Sequence, residues 1–488
     1  MIFNSVTYLI FLTLAVILYW LLPLRAGRAM LFGGSLLFYG FWRFEFLPLL
    51  LIAAIVDYWC SIEIEKREEP KSRLRFLIFS LTINLGILFY FKYLIFFTDN
   101  VVWALNVFGC NIAIPHLDIL LPLGISFYTF ETISYTVDVY RKHIKAERNF
   151  LTYATFLVYF PHLIAGPVLR ASEILPQLKT KKPFENEFII TGMKRLLQGL
   201  FLKVVLADNI APLVNEGFAL NAGSLSAIDV LTLAFMFGMQ IYFDFSAYSH
   251  IAIGSAKMMG INFPENFNFP YAAASFREFW KRWHISLSSW IRDYLYLPIM
   301  KTKVVSDGST GIGNVLNDSQ PKRNRNVALF LTWSIMGLWH GANWTFIFWG
   351  VYHASFVFIE RMINKFRKKT ATKNWFKLFM SWSIVVPIAM LSWIPFRATN
   401  MTIVWEMYSK LFSMKGYTFL GMKENIYIVC ALLFGLTTLM YVYKTFISQK
   451  VQKSGILSSI INISAYTVMI ILVFCFLRPI SQFIYFQF

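Results

Sequence analysis

The sequence predicts an all-α, polytopic membrane protein, and three observations carry that prediction. Apolar residues make up 57% of the chain and charged residues only 15%, with a mean hydropathy of +0.56. A water-soluble domain of that balance has nowhere to put its apolar surface. Phe occurs 50 times and Trp 15 times, a load that suits lipid-facing and interface-anchored surfaces. Apolar runs of about 20 residues recur along the chain, each long enough to cross a hydrocarbon core as helix. A β-barrel needs short alternating strands, and these runs are continuous.

In order, the runs cover residues 5–22, 76–97, 119–139, 151–168, 228–249, 326–350, 378–396, 426–443 and 456–477, with interrupted ones near 30–59 and 196–216. They predict roughly ten to thirteen transmembrane or re-entrant helices in one continuous membrane domain. The first run lacks a basic flank and a small-residue cleavage site, so it reads as a first helix rather than a signal peptide. No polar stretch is long enough to bury a core of its own. The longest, 301–325, reads as a loop.

The net charge of +19 does not point to nucleic acid, because the basic residues cluster in short loops between apolar runs and so report topology. Arg25 and Arg28, the stretch 62–75, Arg141 to Arg148, Arg361 to Lys377 and Lys444 to Lys453 are expected in the cytoplasm. Segment 98–118 has no Lys or Arg and is expected outside, with both chain ends. The four cysteines have no metal-like spacing, and no metal is called for.

Residues 276–298 are too charged to span. On a helical wheel Trp280, Trp283, His284, Leu287, Trp290, Ile291 and Tyr294 gather on one side, which predicts an amphipathic helix near 276–296, at an interface or lining a cavity. Its Arg277, Lys281 and Arg282 suit the phosphates of an acyl donor and equally suit lipid headgroups.

Ionisable side chains inside apolar runs are costly and often functional. His340 is one, on a helical face expected to include Trp333, Gly337 and Trp344. A neutral imidazole there can take a proton from an attacking hydroxyl, or simply pack against a neighbouring helix. His284 can orient a group or bond an acyl carbonyl. Asp244 and Glu131 also lie in apolar runs, where a carboxylate marks a polar cavity or a bond between helices. His143 and His116 read as solvated loop residues. No Gly-x-Ser-x-Gly elbow or nucleotide-binding loop competes.

Six strings carry a family resemblance: LPLGISFYTFETISYTVDVYR (121–141), FPHLIAGPVLR (160–170), IYFDFSAYSHIAIG (241–254), FPENFNFPY (263–271), FWKRWHISLSSWIRDYLYLP (279–298) and GLWHGANWTFIFWGVYH (337–353). Their order over 121–353 resembles the membrane-bound O-acyltransferases, nearest the alginate and peptidoglycan O-acetyltransferase branch, with teichoic acid D-alanyl transferases more distant. The resemblance implies helices around a central funnel in a bacterial inner membrane. It implies His340 as catalytic histidine and His284 as the second active-site histidine, with acetyl-CoA or another thioester as donor and no resident cofactor. Two departures stand out: Ala247 and His250 where the branch has Gly and Asp, and Ile299 to Lys303 in place of a Leu-Gly-Gly-Asn-Arg run.

The end of the chain, 483–488, either anchors at headgroups or matches a tyrosine-bearing motif of polymer-acylating systems. The second reading makes Tyr485 an acyl carrier, served by an extracytoplasmic SGNH-type partner that delivers to a polysaccharide. A transporter of acyl carriers, and an acyltransferase acting on lipid or protein, are the alternatives.

Overall fold

The computed structural model describes residues 1, 3–113, 117–300, 325–366, 375–447, 455–477 and 483–484. Every regular element among them is helical. Helices α1 (Val6–Leu21) and α2 (Leu24–Gly40) form a hairpin split by Pro23. Next come α3 (Leu47–Lys66) and α4 (Pro70–Leu88). A π-helical turn, Phe89–Tyr93, joins α4 to α5 (Leu94–Val107). The helix α6 (Ile125–Tyr140) is followed by α7 (Phe150–Val158), α8 (Phe160–Leu163) and α9 (Ala171–Lys179). A second π turn, Phe201–Ala207, links α10 (Asn186–Leu200) to α11 (Asp208–Ala219).

Helix α12 (Ala227–Met258) is the longest element, started by a capping box between Ser226 and Asp229. Beyond it lie α13 (Phe276–Arg282), α14 (Ile285–Ile291), α15 (Leu297–Ile299), α16 (Arg325–His340), α17 (Trp344–Phe366), α18 (Trp375–Leu391), α19 (Trp393–Arg397), α20 (Met401–Lys410), α21 (Glu424–Val442) and α22 (Gly455–Cys475). Among the described residues, eight helical stretches are long and apolar enough to cross a membrane: Phe44–Lys66, Pro70–Val107, Asn186–Ala219, Ala227–Met258, Trp344–Phe366, Trp375–Arg397, Glu424–Ile447 and Ser458–Cys475.

Three of the expected continuous spans are broken instead. Run 119–139 becomes helical only at Ile125, because Pro122 lacks an N–H and Gly124 has φ +75°, with room for no Cβ: one would lie 2.2 Å from the Leu163 carbonyl oxygen. Run 151–168 ends its helix at Val158 and resumes for a single turn beside Pro161. Run 326–350 stops at His340 and restarts at Trp344, where the Asn343 side chain accepts the Thr345 N–H at 3.0 Å.

Small residues set the closest packing. A Cβ on Gly192 would lie 2.7 Å from the Gly254 carbonyl oxygen, and one on Gly199 2.7 Å from that of Ala247, so α10 and α12 touch backbone to backbone. Gly337 of α16 and Gly350 of α17 do the same, each leaving only 2.1 Å between a new Cβ and a carbonyl oxygen of the other helix.

Three of the stretches assigned by charge to one side, around Arg28, 62–75 and 141–148, are joined to one another or to the start of α7. Arg28 donates to the Thr152 hydroxyl at 2.5 Å, Arg73 to the Tyr140 carbonyl at 2.6 Å, and Arg148 pairs with Glu65. Arg170 pairs with Asp293 at 2.7 Å. Other polar contacts join Trp344 to Asn100 (2.9 Å), Arg397 to Asn215 (3.0 Å) and Lys410 to the Gly223 carbonyl (2.7 Å).

Candidate active site

His340 is the last residue of α16, and its position follows from the turn after it. Gly341 and Asn343 break the helix, and the glycine contact of α16 with α17 fixes how deeply its end is set. Helix ends leave carbonyls unsatisfied. Here the half-buried Lys92 ammonium supplies the missing donors, reaching the Trp339 carbonyl at 2.6 Å and the His340 carbonyl at 3.1 Å. Lys92 itself sits on the first π turn, which displaces its side chain from the regular α-helical register.

The His340 ring is 5% exposed and ringed by Trp339, Trp349 and Phe396, with centroids at 4.7, 5.0 and 5.2 Å. It lines a cavity of about 80 Å³ together with Lys92, Gly124, Phe127, Ile164 and Phe483 among others. A second cavity, about 350 Å³, adjoins it through Lys92 and is lined by Asp99, Asn100, Asn343 and Trp344.

His284 lies in the same region. The expected amphipathic helix is interrupted at this residue: φ is +41°, and α13 ends two residues earlier as α14 begins just after. Backbone in that region is uncommon for a residue with a side chain and is often kept where a site needs it. Trp280, Trp283, Leu287, Trp290 and Ile291 are buried all the same, so the segment lines the interior rather than lying flat at a surface.

His284 Nδ1 is 3.0 Å from Asn266 Oδ1. That oxygen also accepts the Ser286 hydroxyl at 2.8 Å, while the Asn266 amide donates to Ser249 at 3.0 Å. The amide oxygen therefore faces the imidazole, Nδ1 carries the proton, and Nε2 presents a lone pair. Nε2 meets no partner among the described residues. Phe127 packs against both His284 (6.5 Å) and Trp339 (5.9 Å), and His284, Lys92 and His353 are among the groups that act electrostatically on His340.

The end of the chain enters the same place. Phe483 is fully buried, lies 4.1 Å from Tyr248 and 5.7 Å from Phe245, and forms part of the cavity wall beside His340. The Ile484 N–H donates to Asp244 Oδ2 at 2.7 Å. Asp244 in turn pairs with Lys203 (2.7 Å), which also pairs with Asp208 (2.9 Å). Tyr485, the expected carrier, lies outside the described residues, as does His116.

The remaining sequence candidates are elsewhere. Asp244, a candidate donor contact from the sequence, holds Ile484 and a lysine and is not among the residues lining the cavity. Arg282 pairs with Glu278 at 2.8 Å and Arg277 with Glu360 at 3.8 Å, and Lys281 is exposed; none of the three lines the cavity beside His340. Trp344 does not share the His340 face, since it begins α17 and is 55% exposed.

Three groups escaped the sequence reading. Lys92 stood in plain view as a charge inside an apolar run. Glu131 was noted but not its partner, His162, whose Nε2 lies 3.0 Å from the carboxylate. Asn266 was visible only as part of a motif string. His353 is also fully buried, 3.0 Å from the Ser392 hydroxyl, and braces the ring of tryptophans.

A buried histidine at a cavity wall, inside a bundle of membrane-crossing helices, is an arrangement that suits a membrane-embedded group-transfer enzyme. The sequence profile of the membrane-bound O-acyltransferase family matches residues 72–310 and 314–403, and the chain belongs to that family. It is an O-acyltransferase. It is 40% identical over 421 residues to a probable alginate O-acetylase AlgI of Azotobacter vinelandii, covering 86% of this chain and 79% of that one. Identity to the peptidoglycan O-acetyltransferase of Helicobacter pylori is 32% over 425 residues, 80% of this chain and 75% of the other. The teichoic acid D-alanyltransferase of Bacillus subtilis is 30% identical over 263 residues, 52% of this chain and 62% of its own.

Proposed function

We propose that this enzyme takes an acetyl group from a cytoplasmic thioester, acetyl-CoA being the simplest, and passes it across a bacterial inner membrane toward hydroxyls of an envelope or secreted polysaccharide. The observation that carries the reading is His340 at the wall of a small cavity that it shares with Phe483 from the chain's end. The named acceptors of the relatives, alginate and peptidoglycan, support a polysaccharide.

In this mechanism an acceptor hydroxyl attacks the thioester carbon, and a C–O bond forms as the carbonyl π pair moves onto oxygen. His340 takes the hydroxyl proton in that step. When the carbonyl re-forms, the C–S bond breaks and the thiolate leaves, recovering the proton from the imidazolium. His284, whose Nδ1–H is committed to Asn266, offers only a lone pair. That favours orienting a hydroxyl over bonding the acyl carbonyl.

The cavity speaks to the size of the acyl group. On this measure about 10–15 Å³ admits one water, so 80 Å³ suits a group of a few heavy atoms rather than a long chain. Seating Phe483 and Ile484 here supports Tyr485 as first acceptor, from which an SGNH-type partner outside the cytoplasm would collect the group. Two separate transfers would then replace one.

The test is incubation of purified protein with radiolabelled acetyl-CoA, comparing wild type with His340→Ala and Tyr485→Phe. Label on wild type lost in both variants supports the tyrosine route. Label lost only in His340→Ala keeps the catalytic histidine and discards the carrier. Normal labelling of His340→Ala would overturn the mechanism.

A further inference from the structure

We propose that Lys92 is a catalytic residue, donating to the acyl carbonyl oxygen as negative charge gathers there, with the Trp339 indole N–H as a second donor. The inference rests on the acyl-transfer reading above and extends it to a part of the reaction that neither histidine serves. When the hydroxyl attacks, the carbonyl π pair settles on oxygen, and an enzyme lowers that barrier with donors already in place. His284 cannot be one, because its only N–H is held by Asn266. His340 is occupied in receiving the proton.

Lys92 is positioned for the task. Among the described residues lining the His340 cavity it is the one lysine or arginine, and it lines the adjoining larger cavity too. An ammonium has three N–H donors. Two reach the Trp339 and His340 carbonyls, at 2.6 and 3.1 Å. The third meets no partner among the described residues. Those two bonds hold the cation against the residue that moves the proton, so base and electrostatic donor are set by the same helix end.

Trp339 lines the cavity as well. It is 5% exposed, and its Nε1 has no partner among the described residues, which is costly for a buried donor unless a ligand meets it. Its ring is fixed by stacking on Phe130 at 5.0 Å, and Lys92 Nζ lies 5.8 Å from its centroid.

Capping of α16 alone is the competing role for Lys92, and kinetics separate the two. The full-length enzyme is assayed with radiolabelled acetyl-CoA as wild type, Lys92→Met, Lys92→Arg, Trp339→Phe and His340→Ala, with thermal midpoints in the same detergent. Losing one such donor costs on the order of 10²-fold in kcat. Lys92→Met is therefore expected to lose about that factor, with KM for acetyl-CoA within about threefold and a midpoint near that of wild type. Lys92→Arg should recover at least about tenfold over Lys92→Met, and Trp339→Phe should lose about tenfold. If Lys92→Met keeps kcat within about threefold of wild type while His340→Ala is dead, the donor role is overturned and the histidine mechanism stands. A fall in kcat matched by a collapsed midpoint in Lys92→Met, with no rescue by arginine, overturns it in favour of capping. Full activity of His340→Ala overturns the reading on which it rests.

Discussion

The N–H of Ile484 is bonded to the carboxylate of Asp244 at 2.7 Å, a contact 240 residues apart in sequence that seats the end of the chain on the middle of α12. The carboxylate is held for that purpose by Lys203, itself on a π turn. Burial of the Ile484 side chain, 3% exposed, accompanies this main-chain bond, so packing and hydrogen bond together place the segment.

Replacing Ile484 with proline removes that donor, together with part of a buried side chain that is only 3% exposed. A hydrogen bond to a charged group contributes roughly 1.5–3 kcal/mol, enough to unseat the tail while the bundle stays folded. We expect acetyl transfer to drop at least about tenfold, with an unchanged melting midpoint by fluorescence-detected size exclusion. Wild-type rates in Ile484→Pro would show that the contact is incidental.

Lys203→Met leaves Asp244 buried with one partner fewer. Breaking a buried ion pair from one side costs about 3–5 kcal/mol, so this variant should melt well below Ile484→Pro. Similar midpoints for the two would mean that the pair contributes little.

Asn266 dictates which nitrogen of His284 carries the proton. Asn266→Ala should lower kcat at least about tenfold at unchanged KM for the donor, because the imidazole is then free to adopt the wrong tautomer, a fault worth up to about 10⁴ elsewhere. Asn266→Asp keeps an acceptor oxygen and should be the milder change. The steady-state constants of the two variants decide it, and equal losses would argue against tautomer control.

On the proposed mechanism the cavity wall would set acyl length. Trimming Ile164 to alanine should shift preference from acetyl-CoA toward propionyl-CoA, since each buried methylene is worth about 0.8 kcal/mol, or roughly fourfold. Competition between the two donors measures the ratio. No change on trimming would place the acyl group elsewhere.

Gly337→Ala forces a Cβ to within 2.1 Å of the Phe346 carbonyl oxygen. Backbone cannot yield as a side chain tip does, so α16 must move away from α17, at about 1–3 kcal/mol or more. The melting midpoint should fall and activity with it, because His340 ends the displaced helix.

Much of this was legible in the chain itself. Long apolar runs gave the helices at 228–249, 378–396 and 426–443, and charge alone grouped the loops that carry Arg28, Arg73 and Arg148. His284 and His340 were visible because a histidine among aromatics is out of place. Breaks were not: hydropathy averages over Pro122, Tyr159 and Gly341, yet each turns a would-be span into part of the site. The pairing of Asp244 with the chain end was unreadable, since no local pattern links residues so far apart. Arg277 and Arg282 were plausible donor contacts on composition, but Glu360 and Glu278 stand beside them in space.

The weakly packed helix before the tail carries a kinetic consequence. Only 6% of the apolar window of α22 is buried within the protein, yet the helix ends at Cys475, nine residues before Ile484 on its seat at Asp244. A ligand tethered this closely experiences an effective concentration in the millimolar range. The seat can thus bind weakly, release often and still be occupied nearly always, whereas a free peptide competing for it must itself approach millimolar. Rapid turnover and high occupancy, usually opposed, become compatible when the ligand is a segment of the same chain.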